Sequence, residues 1–326
     1  MMRTVVIDRP GPPDVLTLRD RPVPQPGPGE IRARVHAFGI NRADLLQRAG
    51  HYPAPSGVPP DVPGLEYAGV VDAAAQDVAS PLPGSRVMGL VGGGAYAEYV
   101  VTDARQAMTI PASLSFVEGA AVPEAFLTGF DALERARVTE GEWTLVLAAG
   151  SGVGTATIQL VAARGARAIG TSRSPAKLDA LRALGAEAVV NTSSEDLAAA
   201  VRRCTGDGAA AAIDLVGGAL FPAALAALAP RGRLVLVGLV AGRTAEVDLG
   251  LILSRRLRIE GTVLRPRSAD EKATLVTAFR ERVLPLLARG EVRPVVDRVY
   301  EMTDVAAAHA YVASNASFGK VVVEVP

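Results

Sequence analysis

The apolar positions of residues 143–173 form two short runs separated by a helical pattern. Residues 145–149 are an uninterrupted apolar stretch, which is typical of a strand buried on both faces. A glycine-rich turn at 150–154 follows, and residues 155–164 then place apolar side chains at helical spacing up to a terminating glycine. A second buried strand is predicted at 166–170. Strand, turn, helix and strand together predict a βαβ unit.

The same alternation of apolar runs and helical patterns continues downstream. A helix is predicted at 178–185, where leucines recur at helical spacing before a glycine. The further predicted strands are residues 188–190, 209–216, 233–238 and 257–264. Six strands joined by helical crossovers predict an α/β fold with a doubly wound, parallel, six-stranded Rossmann sheet.

The first 120 residues carry a different pattern. Apolar and polar residues alternate over 30–40, which predicts a half-buried strand, and Asn41 is well placed to cap a helix at 42–49. Residues 51–63 hold five prolines and are therefore expected to be irregular. Strand patterns resume at 64–72 and 87–102. This segment is interpreted as an irregular β-barrel with few helices.

The end of the chain, with a helix predicted at 269–287 and a strand at 319–325, is too short to form a core of its own. We therefore expect residues 265–326 to join residues 1–121 in one domain, and residues 122–264 to form the dinucleotide-binding domain. A cofactor is expected in the cleft between the two domains.

Composition narrows the class of partner. Of the 326 residues, 34 are basic and 34 acidic, and no block of five or more Lys/Arg occurs, so neither nucleic acid nor a membrane is an expected partner. The N-terminus lacks the apolar core of a signal peptide, which favours a soluble cytoplasmic protein. The single cysteine, Cys204, excludes an intramolecular disulfide and a multi-cysteine zinc site.

The turn after the first Rossmann strand, Ala149-Gly150-Ser151-Gly152-Val153-Gly154, has small residues where G-x-G-x-x-G is usual. Small residues let the backbone approach a pyrophosphate, and the first helical N–H groups point at it. The alternative interpretation is a tight turn without a ligand.

The tip of the second strand indicates which dinucleotide binds. It reads Thr171-Ser172-Arg173-Ser174, with Lys177 one turn later and no acid to hold the ribose hydroxyls of NAD. Hydroxyl, guanidinium and ammonium groups suit a 2′-phosphate, so NADPH is the predicted cofactor. Ser174-Pro175 is also a normal helix start, which is compatible with either cofactor.

Five strings carry a resemblance to a known family over the whole chain. They are GINRADLLQRAGHYP (39–53), PGLEYAGVV (63–71), VPEAFLTGFDAL (122–133), AGSGVGTATIQLV (149–161) and FGKVVVEV (318–325). With them the chain resembles the medium-chain dehydrogenases/reductases, specifically the zinc-free, zeta-crystallin-like NADPH:quinone oxidoreductases. The resemblance implies that the β-rich domain is GroES-like.

The resemblance also indicates whether a metal site is to be expected. At the positions where zinc-dependent members hold their catalytic metal, the resemblance places Asn41, Leu65 and Glu124 of this chain, and the four-cysteine structural zinc lobe is absent. The three histidines, His36, His51 and His309, have no partner at ligand spacing. No metal site is therefore expected.

Without a metal the oxidation of a simple alcohol would lack its activating Lewis acid, whereas a quinone or an enone accepts a hydride unaided. The expected function is NADPH-dependent, zinc-independent reduction of quinones or similar conjugated carbonyl acceptors. The alternatives are a 2-enoyl (thioester or enone) reductase and a non-catalytic, crystallin-like NADPH-binding protein. A zinc alcohol dehydrogenase is a more distant alternative.

The resemblance implies roles for individual residues. Thr128 is expected to begin a helix that faces the nicotinamide, and Asn41 with Lys320 to contact the ribose–nicotinamide end. Tyr52 is expected to flank the acceptor and, with Asn41, to form the catalytic pair, although Tyr52 could equally be a loop-packing residue. The remaining predicted cofactor residues are Ser151, Gly152, Val153 and Gly154 for the pyrophosphate, Ser172, Arg173 and Lys177 for the 2′-phosphate, and Leu239, Val240 and Leu264 for the nicotinamide pocket.

The sixth strand is expected to lie at the edge of the Rossmann sheet. Because exposed edges are usually protected, we expect this strand to pair with its counterpart in a homodimer.

Overall fold

The computed structural model describes all residues, 1–326, and the chain divides into two compact units. Unit 1 comprises Met1–Leu127 and Leu264–Pro326, and unit 2 comprises Thr128–Val263. Both units are built from elements whose bounds follow in chain order. No helix is both long enough and apolar enough to cross a bilayer.

The chain contains fifteen strands and eleven α-helices. The strands are β1 (Met2–Ile7), β2 (Leu16–Arg21), β3 (Glu30–Ile40), β4 (Glu66–Ala74), β5 (Arg86–Leu90), β6 (Tyr99–Asp103), β7 (Ala107–Thr109), β8 (Trp143–Val146), β9 (Arg167–Ser172), β10 (Ala186–Asn191), β11 (Ala209–Asp214), β12 (Leu228–Leu236), β13 (Arg258–Gly261), β14 (Val296–Glu301) and β15 (Lys320–Glu324). The helices are α1 (Arg42–Arg48), α2 (Phe116–Ala120), α3 (Pro123–Arg135), α4 (Gly152–Ala163), α5 (Leu178–Ala183), α6 (Leu197–Thr205), α7 (Phe221–Ala226), α8 (Leu249–Arg255), α9 (Ala269–Arg282), α10 (Leu284–Arg289) and α11 (Val305–Ala313).

Unit 1 is organised by a seven-stranded sheet. Its strands run in the order β14-β15-β3-β4-β5-β7, and β6 also pairs with β3, while β1 and β2 form a separate two-stranded sheet. The long strand β3 pairs antiparallel with β4, β6 and β15, so it holds the sheet together. Its alternating residues Ile31, Ala33 and Val35 are fully buried, as the period of two predicts. The last element of the chain, β15, therefore completes the sheet begun by the first hundred residues, as we expected from its size.

The end of β3 sets up the functional face of unit 1. Asn41 follows the strand directly and caps α1 through a capping box, in which the Asp44 carboxylate accepts from the Asn41 backbone N–H at 2.8 Å. The predicted cap at Asn41 is confirmed, and Gly50 with φ of 81° follows the helix. The proline-rich segment 51–63 contains no helix or strand.

Unit 2 is a six-stranded parallel sheet in the order β10-β9-β8-β11-β12-β13. The strand order reverses between β8 and β11, which is where doubly wound sheets bind ligands. The predicted fold class, an α/β protein with a GroES-like domain and a six-stranded Rossmann sheet, is confirmed. The strand β13 lies at the sheet edge with all four of its residues exposed, so the predicted edge is confirmed as well.

Three local predictions were wrong in detail. The first Rossmann strand ends at Val146 rather than at residue 149, because Ala148 adopts a left-handed φ of 47° that no strand continues. The helix predicted at 269–287 is two helices, since the backbone turns at Val283 (φ −111°) before α10 begins. Thr128 does not begin a helix: α3 starts at Pro123, because a proline in the first turn needs no N–H partner, and Thr128 lies in the middle of α3.

Candidate functional site

The glycine turn of unit 2 forms an anion-binding helix start. Ser151 caps α4, and its hydroxyl oxygen accepts from the Gly154 N–H at 3.1 Å. A Cβ on Gly154 would lie 2.5 Å from the Ala148 carbonyl oxygen, so only glycine fits. The strained Ala148 next to it is the kind of backbone outlier that concentrates at ligand sites. The predicted residues Ser151, Gly152, Val153 and Gly154 therefore lie together at the N-terminus of one helix.

The residues predicted to bind the 2′-phosphate lie at the tip of β9 and just after it. Ser172 is buried and its Oγ accepts from the Ser174 N–H at 3.0 Å, Arg173 is exposed, and Lys177 is half-buried. The nearby acid Asp179 is exposed on α5 and forms an ion pair with Arg182. Arg173 thus places an exposed guanidinium at the strand tip, and guanidinium groups bind phosphates well.

The remaining residues of unit 2 that are predicted to bind the cofactor differ in exposure. Leu239 and Val240 lie in the loop after β12 and are 43% and 57% exposed. Thr128 is buried and its hydroxyl has no hydrogen-bond partner, although most buried hydroxyls find one. This unpartnered hydroxyl, together with the Gly154 turn that a side chain would fill, shows that unit 2 fits a dinucleotide. Leu264, the first residue of the second segment of unit 1, is buried.

A buried ammonium group lies at the centre of the functional face of unit 1. The Lys320 side chain is 4% exposed, and its Nζ donates to Glu66 Oε1 at 2.5 Å, Asn41 Oδ1 at 2.6 Å and the Ile40 carbonyl at 3.0 Å. Three acceptors satisfy all three ammonium protons. Lys320 is therefore a fixed internal cation.

Glu66 connects this cation to its surroundings. Its carboxylate is fully buried and also accepts from Asn41 Nδ2 at 2.8 Å and from the Glu124 backbone N–H at 2.8 Å. The Asn41 amide is thereby held from both ends, with its oxygen toward Lys320 and its nitrogen toward Glu66. Glu66 is therefore a structural hydrogen-bond acceptor of this cluster.

A chain of buried hydrogen bonds supports Asn41 from behind. Asp44, which is fully buried, accepts from Tyr96 Oη at 3.0 Å, and the same hydroxyl lies 3.0 Å from His309 Nε2. Arg48 Nη1 donates to His309 Nδ1 at 3.2 Å, so the neutral ring carries its proton on Nε2 and donates it to Tyr96. Burial lowers the pKa of His309 to about 3 and raises that of Asp44 to about 6, the latter despite donors from Asn41 and Tyr96.

Glu124 is the most perturbed acid of this face. Burial, followed by the neighbouring Glu66 charge, raises its pKa to about 8 against the opposing effect of Lys320. Its carboxyl oxygen atoms form no hydrogen bond, although its backbone N–H does. The side chain is half-buried. Glu124 is therefore a protonated, unpaired carboxylic acid at neutral pH.

Tyr52 lies beneath a guanidinium group that the sequence did not reveal. Arg265 is 6% exposed, its charge lies 4.9 Å from the centre of the Tyr52 ring, and it donates to Gln47 Oε1 at 2.6 Å and to the Gly92 carbonyl at 2.7 Å. It also donates to the Tyr52 carbonyl at 3.3 Å. All its partners are neutral, so its charge stays available to the site. No periodicity marks a lone arginine after a strand, and the sequence offered no signal for it.

The donor set of unit 1 does not fit a zinc centre. At the positions of the family's metal ligands lie an amide (Asn41), an apolar side chain (Leu65) and a protonated acid (Glu124), and the Lys320 ammonium already occupies the acceptors of Asn41 and Glu66. No group of three or more His, Cys, Asp or Glu side chains could hold a metal ion.

Comparisons with known protein families agree with this architecture. Residues 27–112 match the model of the alcohol dehydrogenase GroES-like domain, and residues 152–280 match that of the zinc-binding dehydrogenases. The quinone oxidoreductase-like protein 2 of Bos taurus is 34% identical over 90% of this chain and 84% of its own. The quinone oxidoreductase of Pseudomonas aeruginosa is 33% identical over 96% of both chains. A 242-residue part of the pikromycin polyketide synthase component PikAII of Streptomyces venezuelae, 6% of that protein, is 41% identical and covers 72% of this chain.

Solved structures share the fold over its whole length. An NAD-dependent alcohol dehydrogenase (TM-score 0.90, 33% identity) and the quinone oxidoreductase of Pseudomonas syringae (0.88, 30%) each align over 100% of both chains. Mycobacterial Rv1454c complexed with NADPH also aligns over 100% of both chains (0.89, 27%). The chain thus belongs to the medium-chain dehydrogenase/reductase superfamily, as an NAD(P)-binding oxidoreductase of its quinone oxidoreductase-like group.

Proposed function

We propose that the protein is an NADPH-dependent, zinc-independent reductase of quinones or similar conjugated carbonyl acceptors. The observation that carries this proposal is the Lys320 ammonium bound between Asn41 and Glu66, because it fills the acceptors that a catalytic metal would need. A conjugated acceptor needs no metal to polarise it, whereas a simple alcohol does. Elemental analysis of the purified protein should find less than stoichiometric zinc, and one zinc per chain would contradict the proposal.

The choice of NADPH is supported by the tip of β9. Arg173 is exposed there and forms no ion pair, and Ser172 offers a hydroxyl beside it. We expect Arg173→Ala to weaken NADPH binding about tenfold or more, since a charged hydrogen bond contributes roughly 1.5–3 kcal/mol, and to leave NADH binding unchanged. Arg182→Ala removes an exposed arginine already paired with Asp179 and is the matched control. Equal affinity of the unmodified protein for both cofactors would refute the choice.

Residues of unit 1 and residues of unit 2 have different roles in the proposed reaction. When bound, NADPH supplies the hydride. Ser151 to Gly154 hold its pyrophosphate by backbone N–H groups, and the buried hydroxyl of Thr128 is free to bond the nicotinamide end. Asn41, fixed by Lys320 and Glu66, orients the ribose–nicotinamide end. Positioning of cofactor and acceptor then accounts for the rate.

The Tyr52–Arg265 pair serves the acceptor. The Tyr52 ring offers a stacking face to a planar conjugated molecule, and the Arg265 charge favours the electron-rich oxygen that develops during reduction. Tyr52→Leu is expected to raise KM for the acceptor more than KM for NADPH. An unchanged acceptor KM would support the loop-packing role of Tyr52 instead.

A 2-enoyl reductase is the main alternative, favoured by the similarity to part of a polyketide synthase. The cofactor site is the same in both cases, and only the acceptor differs. NADPH consumption measured side by side with an ortho-quinone and with a crotonyl thioester decides between them, because the preferred acceptor has the higher kcat/KM. Tight NADPH binding without turnover of either would instead favour a non-catalytic, crystallin-like NADPH-binding protein.

We also propose that the protein is a homodimer paired through β13. The strand is at the sheet edge, Ile259 on it is 42% exposed, and Leu249 and Leu253 on α8 are 74% and 81% exposed. An antiparallel register centred on Ile259 would place Arg258 opposite Glu260 of the second copy, which is a favourable cross-strand pair. Light scattering at micromolar concentration should give twice the 33.7 kDa chain mass, and a monomer would refute the dimer. Ile259→Lys is expected to dissociate it.

A further inference from the structure

We infer that Glu124 is the catalytic acid that protonates the carbonyl oxygen of the reduced acceptor. This inference deepens the proposed function and rests on it. Reduction of a quinone by NADPH needs one proton besides the hydride, and the residues already assigned leave its source open. Three observations on unit 1 point to the Glu124 carboxyl: its place in the polar cluster, its lack of a partner, and the charges around it.

Glu124 is held in place by its backbone rather than by its side chain. Its N–H donates to Glu66 Oε2 at 2.8 Å, which ties the first turn of α3 to the Lys320 cluster. The carboxyl itself forms no hydrogen bond and remains half-buried, so both of its oxygen atoms are open to a ligand. The missing partner of Glu124 is the position that we assign to the acceptor oxygen.

The surroundings of Glu124 keep it protonated at neutral pH. Burial, and then the acids Glu66 and Asp44, oppose its ionisation, and the cations Lys320 and Arg265 only partly offset them. With a pKa raised to about 8, the carboxyl matches the pH at which it would work. The titratable or charged groups that face it are Glu66 on β4, Lys320 on β15, Asp44 on α1, Tyr52 in the proline-rich segment, Arg265 after unit 2, and Lys272 on α9.

Tyr52 is the competing proton donor, and its environment makes it the weaker one. Burial raises the pKa of its phenol above the usual value of 10, and Glu124 raises it further, with Arg265 opposing. Tyr52 is therefore better suited to stacking. Glu124, with its pKa raised to about 8, is the stronger acid of the two.

The proposed reduction conserves atoms and electrons. The hydride brings its electron pair to the conjugated acceptor, and the oxygen of that acceptor takes up the resulting negative charge. The O–H bond of Glu124 breaks and a new O–H bond forms on the acceptor oxygen, which completes the hydroquinone. The acceptor is reduced and the cofactor oxidised by two electrons. The Glu124 carboxylate then recovers its proton from water.

The test compares Glu124→Gln, Tyr52→Phe and Glu281→Gln, the last being an exposed glutamate of α9 that serves as the control. NADPH affinity, measured by fluorescence titration, should be unchanged in all three, which shows that they are folded. In the unmodified enzyme kcat for an ortho-quinone should fall as pH rises through about 8. Glu124→Gln should lower kcat about 100-fold or more at pH 7 and abolish this pH dependence, since general acids typically contribute 10²–10⁴-fold.

The possible results separate the two proposals. If Glu124→Gln keeps the unmodified kcat and pH profile while the enzyme turns over quinones, the role of Glu124 is refuted and the proposed function stands. If Tyr52→Phe, rather than Glu124→Gln, removes the pH dependence, Tyr52 is the acid. If the unmodified chain reduces neither quinone nor enone, the proposed function fails, and the role of Glu124 fails with it. A carboxyl ¹³C resonance titrating near pH 8, absent from Glu124→Gln, would support the assignment independently of turnover.

Discussion

Removing the Lys320 ammonium should leave a buried carboxylate without its counter-charge. Lys320 is 4% and Glu66 0% exposed, and 2.5 Å separates Nζ from Oε1. Breaking a buried ion pair by deleting one partner costs about 3–5 kcal/mol, because the remaining charge is uncompensated. We therefore expect Lys320→Met to lower the free energy of unfolding by about 3–5 kcal/mol. For a unit of this size that corresponds to a loss in Tm of about 6–20 °C.

Two further variants separate the effect of the lost ammonium charge from the effect of lost packing. Glu66 keeps two donors, Asn41 Nδ2 and the Glu124 N–H, in Lys320→Met, so the lost attraction of the ammonium dominates the cost. The double variant Lys320→Met/Glu66→Gln removes both charges and should be less destabilised than the sum of the single variants. Lys272→Met is the control, since its Nζ donates only to the Arg265 carbonyl at 2.9 Å and its loss should cost about 1 kcal/mol. Calorimetry gives the change in Tm, and urea unfolding gives the change in the free energy of unfolding. Equal losses in Lys320→Met and Lys272→Met would refute the reasoning.

Three further predictions follow from the same contacts. The unfolded chain protonates His309 near pH 6.5 but the folded chain only near pH 3, so stability should fall by about 5 kcal/mol as pH drops through this window. In denaturant titrations His309→Gln should flatten that fall, and His51→Gln, at an exposed histidine, should not. Gly154→Ala should weaken NADPH binding about tenfold or more, because its methyl group meets backbone at 2.5 Å, whereas Gly261→Ala has free space and should bind normally. Tyr96→Phe should lower the free energy of unfolding by about 1–3 kcal/mol at pH 7, since the buried Asp44 carboxylate loses a hydrogen-bond donor. A loss under about 0.5 kcal/mol would contradict the importance of the Tyr96–Asp44 hydrogen bond.

The sequence predicted what depends on local pattern. The buried strands of unit 2, the edge position of β13 and the cap at Asn41 all follow from periodicity and from the preferences of single residues. The helix α3 begins five residues before Thr128, because Pro123 fits the first helical turn, where its missing N–H needs no partner. The strand end at Val146 was missed because a left-handed alanine, Ala148, has no sequence signature.

Residue types alone predicted only the cofactor half of the candidate site, whereas Asn41, Tyr52 and Lys320 came from the family resemblance. The turn at 150–154 and the tip of β9 are continuous in sequence, so residue types alone show their chemistry. The polar cluster of unit 1 joins residues far apart in the chain: Lys320 and Glu66 are 254 positions apart, and Arg265 and Gln47 218. No spacing rule relates such pairs. Lys320 and Glu66 meet because β15 pairs with β3, and β3 with β4, in one sheet.

Lys320 also links the two proposals for this site, through the charge that it places near Glu124. A divalent metal at this position would favour ionisation of a neighbouring acid far more strongly than one ammonium does. Burial and the charges of Glu66 and Asp44 outweigh the opposing effects of Lys320 and Arg265, so the Glu124 carboxyl keeps its proton at neutral pH. Of the two cations that lower the pKa of Glu124, Lys320 has a larger effect than Arg265. Lys320→Met removes it, so the descending limb of the kcat–pH profile should move above pH 8. NADPH-dependent quinone reduction measured between pH 6 and 10 tests this shift. A limb that moves to lower pH, or one that stays at 8, would show that Lys320 does not control the proton of Glu124.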